Sequence, residues 1–365
     1  MKRNILLVLA LVFGYTVAAQ TTHYQVSGRV IDAQTQQPLA AASVFAQNTT
    51  IGTATDADGK FTLTLPNGGY DLVVSFTGYQ VESRRITSAE TAAGLQFSLR
   101  PKEKELQDVV IRASSEVPDG WEKYGSFFLE NFIGKTANSA FCTLKNKEAL
   151  KFYFSKKRNR LKILATAPLE IENEALGYNI KYTLDSFIYE YNTQVSLYSG
   201  YPLFEERKPA DSAISVRWSQ NRQLAYNGSM LHFMRSLYHK QLTENGFEVQ
   251  FLSTINGKET AVPLKSPYAA LHYSKDDSTQ TVEFMPNQPN VLLLYKNEQP
   301  DSVYLAANPD EPAKFQLSLL SFTPQNPVII EQNGYYFEQS DITVNQYLAW
   351  EKVADMLPYD YHYNQ

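Results

Sequence analysis

Ser229 and His232 come closest, in residue type and spacing, to a catalytic unit in this chain. A serine opening a helix, with a histidine one turn on, could combine a nucleophile, a base and the positive end of a helix dipole. His232 would still need a third group to orient it, and the sequence nominates none. No Gly-x-Ser-x-Gly elbow is present. His232 and His239 stand seven residues apart on one helix face, and would hold a metal only with a third ligand from elsewhere. The His-Glu-x-x-His spacing of zinc peptidases is absent, and at the matching offset from His232 stands Arg235, which cannot ligate. Cys142 is the single cysteine, so no intramolecular disulfide can form. Between Phe141 and Thr143 it reads as a small packed side chain more readily than as a nucleophile. No catalytic, cofactor-binding or metal residue is therefore assigned. Ser229, His232, Arg235, His239 and Cys142 stand as functional candidates, and a peptide or glycan hydrolase near Ser229/His232 is the alternative to a non-enzymatic protein.

Asp56-Ala57-Asp58-Gly59 could open a calcium loop, but Lys60–Leu65 follow without the further carboxylates such a loop needs. Asp-Gly between alternating segments is a hairpin signal, and a hairpin is expected. The chain holds 24 Tyr and 20 Phe, with Tyr-rich runs at 198–202, 334–337 and 359–363. Exposed, such rings suit glycan or peptide surfaces; in strands they pack across the sheet. The polar, aromatic tail Pro358–Gln365 is the segment to test first. Asp211-Ser212-Ala213, Asp277-Ser278-Thr279 and Asp301-Ser302-Val303 resemble a short bacterial O-glycosylation acceptor motif.

The elements that would position these residues fall into two blocks. Lys2 and Arg3, the apolar Ile5–Phe13 and the small Val17-Ala18-Ala19 form a signal peptide, placed at residues 1–19. Its apolar run is far shorter than the roughly 20 residues of a membrane span. No cysteine follows the cut to carry a lipid. Lys+Arg number 33 against 38 Asp+Glu, and a negative chain argues against nucleic acid or an anionic membrane as partner. Residues 20–100 contain short alternating strands broken by turn residues, the pattern of a β-sandwich. A charged linker, 101–118, leads to a larger α+β domain at 119–365, rich in antiparallel strands. About three helices are expected there: one from Trp121 to Gly134, one over Ser229–Glu244 and one over Thr343–Leu357. The basic turn Lys156–Arg160 joins two strands as a hairpin with a solvated tip. Overall the fold class is mainly β.

The string VSGRVIDAQTQQPLAAASVFAQNTTIGTATDADGKFTLTLP, with YDLVVSFTGYQ and a closing L-R-P, resembles the carboxypeptidase regulatory-like domain. That resemblance implies a transthyretin-like sandwich in an exported Gram-negative protein, acting as a structural or interaction module without peptidase activity. The same sandwich precedes some TonB-dependent transporters, and Leu106–Ile111 is similar to their junction, but the remaining residues are too few for a plug and barrel. The strings WEKYGSFFLENFIG, the run from Asn221 to Tyr238, and AWEKVADMLPYDY resemble a group of exported proteins that pair this sandwich with an uncharacterised second domain. The expected protein is an exported envelope binding or assembly protein, periplasmic or outer-membrane associated. Its sandwich would serve as docking module and its partner would be an envelope protein or glycan; no cofactor is implied.

Overall fold

Period-two alternation builds the first domain. The computed structural model describes residues 23–87, 93–102, 116–255 and 257–362. The segment read as a signal peptide, most of residues 101–118 with Leu106–Ile111, and Tyr363–Gln365 lie outside them. In β4 (Lys60–Pro66), Phe61, Leu63 and Leu65 are buried while Lys60, Thr62 and Thr64 are exposed. β4 pairs antiparallel with β1 (His23–Asp32), and β1 pairs parallel with β7 (Leu95–Leu99). The facing sheet runs in the order β3 (Gly52–Ala54), β2 (Ser43–Ala46), β5 (Gly69–Ser75), β6 (Glu82–Thr87). Val26, Val30, Val44, Leu72, Val74 and Phe97 fill the space between the sheets, so the expected sandwich is present. The Asp56–Gly59 turn is not a hairpin, because β3 pairs with β2 and β4 with β1. It carries the chain from one sheet to the other. The Asp56 Oδ1 accepts from the Asp58 and Lys60 amides (2.9 and 2.8 Å), which fixes the turn from within.

The rest of the chain forms two cores, mainly β. The first is a sheet of β8 (Cys142–Leu144), β11 (Leu169–Asn173), β12 (Tyr178–Glu190), β10 (Arg160–Ala165) and β9 (Leu150–Ser155), with β13 (Val195–Glu206) along the other side of β12. The segments Ile180–Leu184 and Phe187–Tyr191 are one strand: a bulge between Leu184 and Ser186 shifts the parity, so Tyr182, Leu184 and Phe187 all face the core. Helix α1 (Gly120–Phe132) lies on this face, with Phe132 edge-on to Tyr182 at 5.0 Å. Helix α2 (Ser212–Tyr226) was not foreshadowed. It carries no apolar stripe, burying Trp218, Ala225 and Tyr226 while leaving Val216 and Leu224 exposed.

The second core is built on α3 (Met230–Tyr238). Its apolar residues pack with the sheet β15 (Lys258–Pro263), β14 (Phe247–Ile255), β18 (Asn290–Tyr295), β19 (Gln316–Phe322), β21 (Ile342–Gln346), and with a smaller sheet of β16 (Ser274–Asp276), β17 (Thr281–Phe284) and β20 (Val328–Ile330). Among the described residues there are six α-helices, the others being α4 (Pro267–Ala270), α5 (Ser302–Ala307) and α6 (Tyr347–Trp350). α3 stops well short of Glu244, because Lys240 adopts a left-handed φ of 57°. The expected closing helix is mostly replaced by β21, where Thr343 and Val344 pair with Ser321 and Leu320. No helix among the described residues is long and apolar enough to cross a membrane.

The sandwich is fastened to both cores. Arg85 of β6 reaches Glu331, just past β20, with Nη2 2.5 Å from Oε1. The guanidinium also lies over the rings of Tyr335 and Phe337, at 4.4 and 4.0 Å. The Tyr335 hydroxyl donates to Asp71 of β5 (2.5 Å). Burial raises the Glu331 carboxyl above its ordinary range, against the opposing pull of Arg85. A second seam joins the backbones: the Asn48 amide donates to Pro202, that of Phe204 to Thr49, and that of Tyr359 to Asn48 (2.8, 2.9 and 2.7 Å).

The intact protein is expected to unfold in one calorimetric transition. Arg85→Ala strands a buried carboxylate and should cost about 3 kcal/mol or more at neutral pH, splitting off the sandwich as a separate transition. The loss should shrink in acid, as Glu331 takes up a proton; a variant that melts like wild type at neutral pH would refute this coupling.

Candidate functional site

Four of the five residues singled out by type, Ser229, His232, Arg235 and Cys142, hydrogen-bond within the fold. Ser229 caps α3: its Oγ accepts from the His232 amide (3.2 Å) and donates to the Tyr226 carbonyl (2.7 Å). His232 is 8% exposed, and its Nδ1 accepts from the Gly228 amide (3.2 Å). It lies among the rings of Tyr226, Phe247 and Tyr295. Burial, with the Arg235 charge adding, pushes its pKa down to about 4. Serine and histidine thus meet through a backbone amide and not through Oγ and the ring. His239, exposed at the end of α3, is not brought together with His232 at a ligand cluster. Among the described residues no group of three or more His, Cys, Asp or Glu is placed to hold a metal. Cys142 is partly buried and donates to the Asn138 carbonyl (3.5 Å). Burial and the neighbouring Asp355 raise its thiol to about 12, far from the thiolate that nucleophilic chemistry needs.

Arg235 has the most informative position. Its three guanidinium nitrogens donate to the carbonyls of Asn333, Tyr361 and Tyr359 (2.9, 3.0 and 3.0 Å). It therefore clamps the chain end to the hairpin turn that carries Glu331 and Tyr335. Farther back, the Ala354 amide donates to Ile133 and the buried Asn173 donates to Ala354 (both 2.9 Å). The Asp355 carboxylate accepts from Thr136 (2.9 Å) and Asn138 (2.9 Å). Burial lifts its pKa to about 6 even against those hydrogen bonds. The tail is a staple across all three cores.

Where that tail meets the sandwich and α2, a cleft of about 450 Å³ opens. Thr50 of the β2–β3 loop lies on one side, its hydroxyl and amide donating to Asp360. Trp218 and Arg222 of α2 form the opposite wall. Trp218 donates to the Glu174 carbonyl (2.8 Å) and covers Gly177. At φ +71°, Gly177 leaves no room for a side chain: a Cβ would sit 2.3 Å from the indole. Arg222 lies 4.0 Å over Tyr178, donates to Leu176 (2.7 Å) and pairs with Glu206 (2.8 Å). Arg207 pairs with Glu172 through Nη2 (2.7 Å), while its buried Nη1 has no hydrogen-bond acceptor and lies 3.8 Å from Glu174 Oε1. Tyr361 and His362 line the mouth. The tail was marked for testing from its composition, but Thr50, Arg207, Trp218 and Arg222 carried no local signal.

As far as they are described, the Tyr-rich runs form no exposed aromatic surface. Among the described residues no Tyr or Trp is exposed, and Phe141, at 57%, is the one exposed aromatic. Two of the three Asp-Ser tripeptides begin helices, with Asp211 and Asp301 accepting from the Ile214 and Val303 amides.

Residues 26–111 match the model of the CarboxypepD_reg-like domain, so the sandwich is a domain of that type. No curated protein matches the chain. Among solved structures, similarity is found to a DUF3823 family protein from Bacteroides ovatus (12% identity, 52% of this chain and 83% of that one, TM-score 0.18). A 9R-lipoxygenase from Cyanothece is 9% identical over 59% of this chain and 48% of its own, TM-score 0.17. A protein of unknown function from Bacteroides fragilis, described as membrane-associated, is 12% identical over 89% and 95%, TM-score 0.19. Scores of this size carry no argument about the chain.

Two buried groups give opposite pH dependences. Asp355, raised from 3.8 to about 6, contributes stability below pH 3.8 that is lost as pH rises through 6. His232, lowered from 6.5 to about 4, contributes stability above pH 6.5 that is lost as pH falls through 4. Each is worth about 3 kcal/mol across its window, so the two nearly cancel. Relative to wild type, Asp355→Asn is expected to gain stability steadily from pH 4 to 6.5, and His232→Gln to lose it over the same range. Urea unfolding at several pH values reads both slopes; parallel curves for all three proteins would contradict the assignment.

Proposed function

We propose that this is an exported envelope protein whose sandwich is locked to the larger region, so that the two together form a non-catalytic binding unit. The N-terminal basic-apolar-small segment and the CarboxypepD_reg-like sandwich support export and an interaction role. The observation that carries the reading is the cleft at the junction of sandwich, α2 and chain end, where Arg207 Nη1 has no hydrogen-bond acceptor and only a 3.8 Å ion-pair contact with Glu174. A buried guanidinium donor without an acceptor favours a ligand group bearing acceptor oxygens, such as a carboxylate or hydroxyl-rich group of an envelope protein or glycan. Thr50 closes one edge of the cleft from the sandwich, while α2, β12, β13 and the chain end supply the rest of its lining. The docked sandwich thereby completes one edge of the binding surface.

A photo-crosslinking residue at Ser219, on the cleft wall, is expected to capture a discrete envelope partner in intact cells. The same residue at Lys258, on the remote β14–β15 hairpin, should not. Adding Arg207→Gln should remove the adduct while leaving the melting curve within a few degrees of wild type. Equal adducts from both positions, or none from Ser219, would sink the proposal.

A further inference from the structure

The hairpin opposite the cleft carries a charge pattern that the chain's overall negative balance conceals. β12 and β13 run for 13 and 12 residues. Their Tyr178–Glu206 end lines the cleft, and their Glu190–Val195 end lies roughly 40 Å away at about 3.3 Å per residue. Beside that far end sits the β9–β10 turn. The Tyr191 amide donates to the Asn159 carbonyl (3.1 Å), Asn159 Nδ2 donates to Asn192 Oδ1 (2.9 Å), and Arg160 pairs with Glu190. The two turns are therefore one surface.

Residues 150–165 contain six Lys and Arg and no Asp or Glu, in a chain of net charge −5. Lys156, Lys157 and Arg158, at the turn, are all exposed, and none forms an ion pair with another described residue. On β13, which β12 separates from β10, Val195 and Leu197 are 40% and 54% exposed. They alternate with Ser196, so their side chains leave the sheet on the same face. Free cations next to exposed aliphatic side chains match the two layers of an anionic membrane surface. The cations meet lipid phosphates and the aliphatic groups enter the interface beneath them. An acidic polypeptide would use the cations but leave Val195 and Leu197 unexplained.

We infer that the paired turns 156–159 and 191–194 dock on anionic phospholipid, holding the cleft away from the membrane. The purified protein is expected to float with vesicles of phosphatidylethanolamine and phosphatidylglycerol at low ionic strength. It should not float with phosphatidylcholine vesicles, and raising the salt should release it. Combined Lys156→Glu, Lys157→Glu and Arg158→Glu should lower the bound fraction at least about tenfold with an unchanged melting curve. If that variant fails to fold, Arg158→Glu alone, with the salt titration, serves as the test. In a Leu197→Trp variant, emission should shift to the blue on adding the anionic vesicles. Equal binding to both vesicle types, no binding at low salt, or indifference to charge reversal would overturn the inference. So would retention by polyglutamate without vesicle binding, which would assign the turns to acidic polypeptides instead.

Discussion

The buried contact between Arg85 and Glu331 fixes the organisation of this protein. A guanidinium and a carboxylate removed from water are tolerable only together, and here they come from two different folding units. Flanking groups make the pairing specific. The rings of Tyr335 and Phe337 receive the face of the guanidinium, and the Tyr335 hydroxyl satisfies Asp71. Such a contact permits one docking geometry for the sandwich. Asn48, Thr49 and Thr50 are then held against β13 and the chain end, where backbone hydrogen bonds complete the seam.

The same constraint explains what became of the residues that looked reactive. Arg235 spends its donors on carbonyls of the tail and of the turn next to Glu331. Ser229 and Gly228 hold the start of α3, on which Arg235 stands, and His232 fills the adjacent aromatic core. A histidine and a serine at this spacing therefore serve the placement of a clamp. The cleft follows from that placement, since its walls come from the sandwich, α2 and the clamped tail.

Much of the local structure was legible in the sequence. Strict alternation announced β4, helical spacing of Trp121, Tyr124, Phe128 and Phe132 announced α1, and the basic turn announced the β9–β10 hairpin. Reading failed where the deciding contact was remote. α2 is polar around most of its circumference, and Trp218 is buried only because Gly177 lies beneath it. The 343–346 segment could serve a helix or a strand until β19 offered it an edge. Arg85 and Glu331 stand 246 residues apart, and no periodicity links them. The cleft was invisible for that reason: its walls come from segments far apart in sequence.

The central claim is that the sandwich and the larger region form a single docked unit in solution. Amide hydrogen exchange at Asn48, Phe204 and Tyr359 tests it most directly, because these three N–H groups donate across the seam. The account requires them to exchange as slowly as the β1 core amides of Val26 and Val30. Exchange at the rate of the exposed Lys156–Arg158 turn would show that the seam is open in solution, and would contradict it.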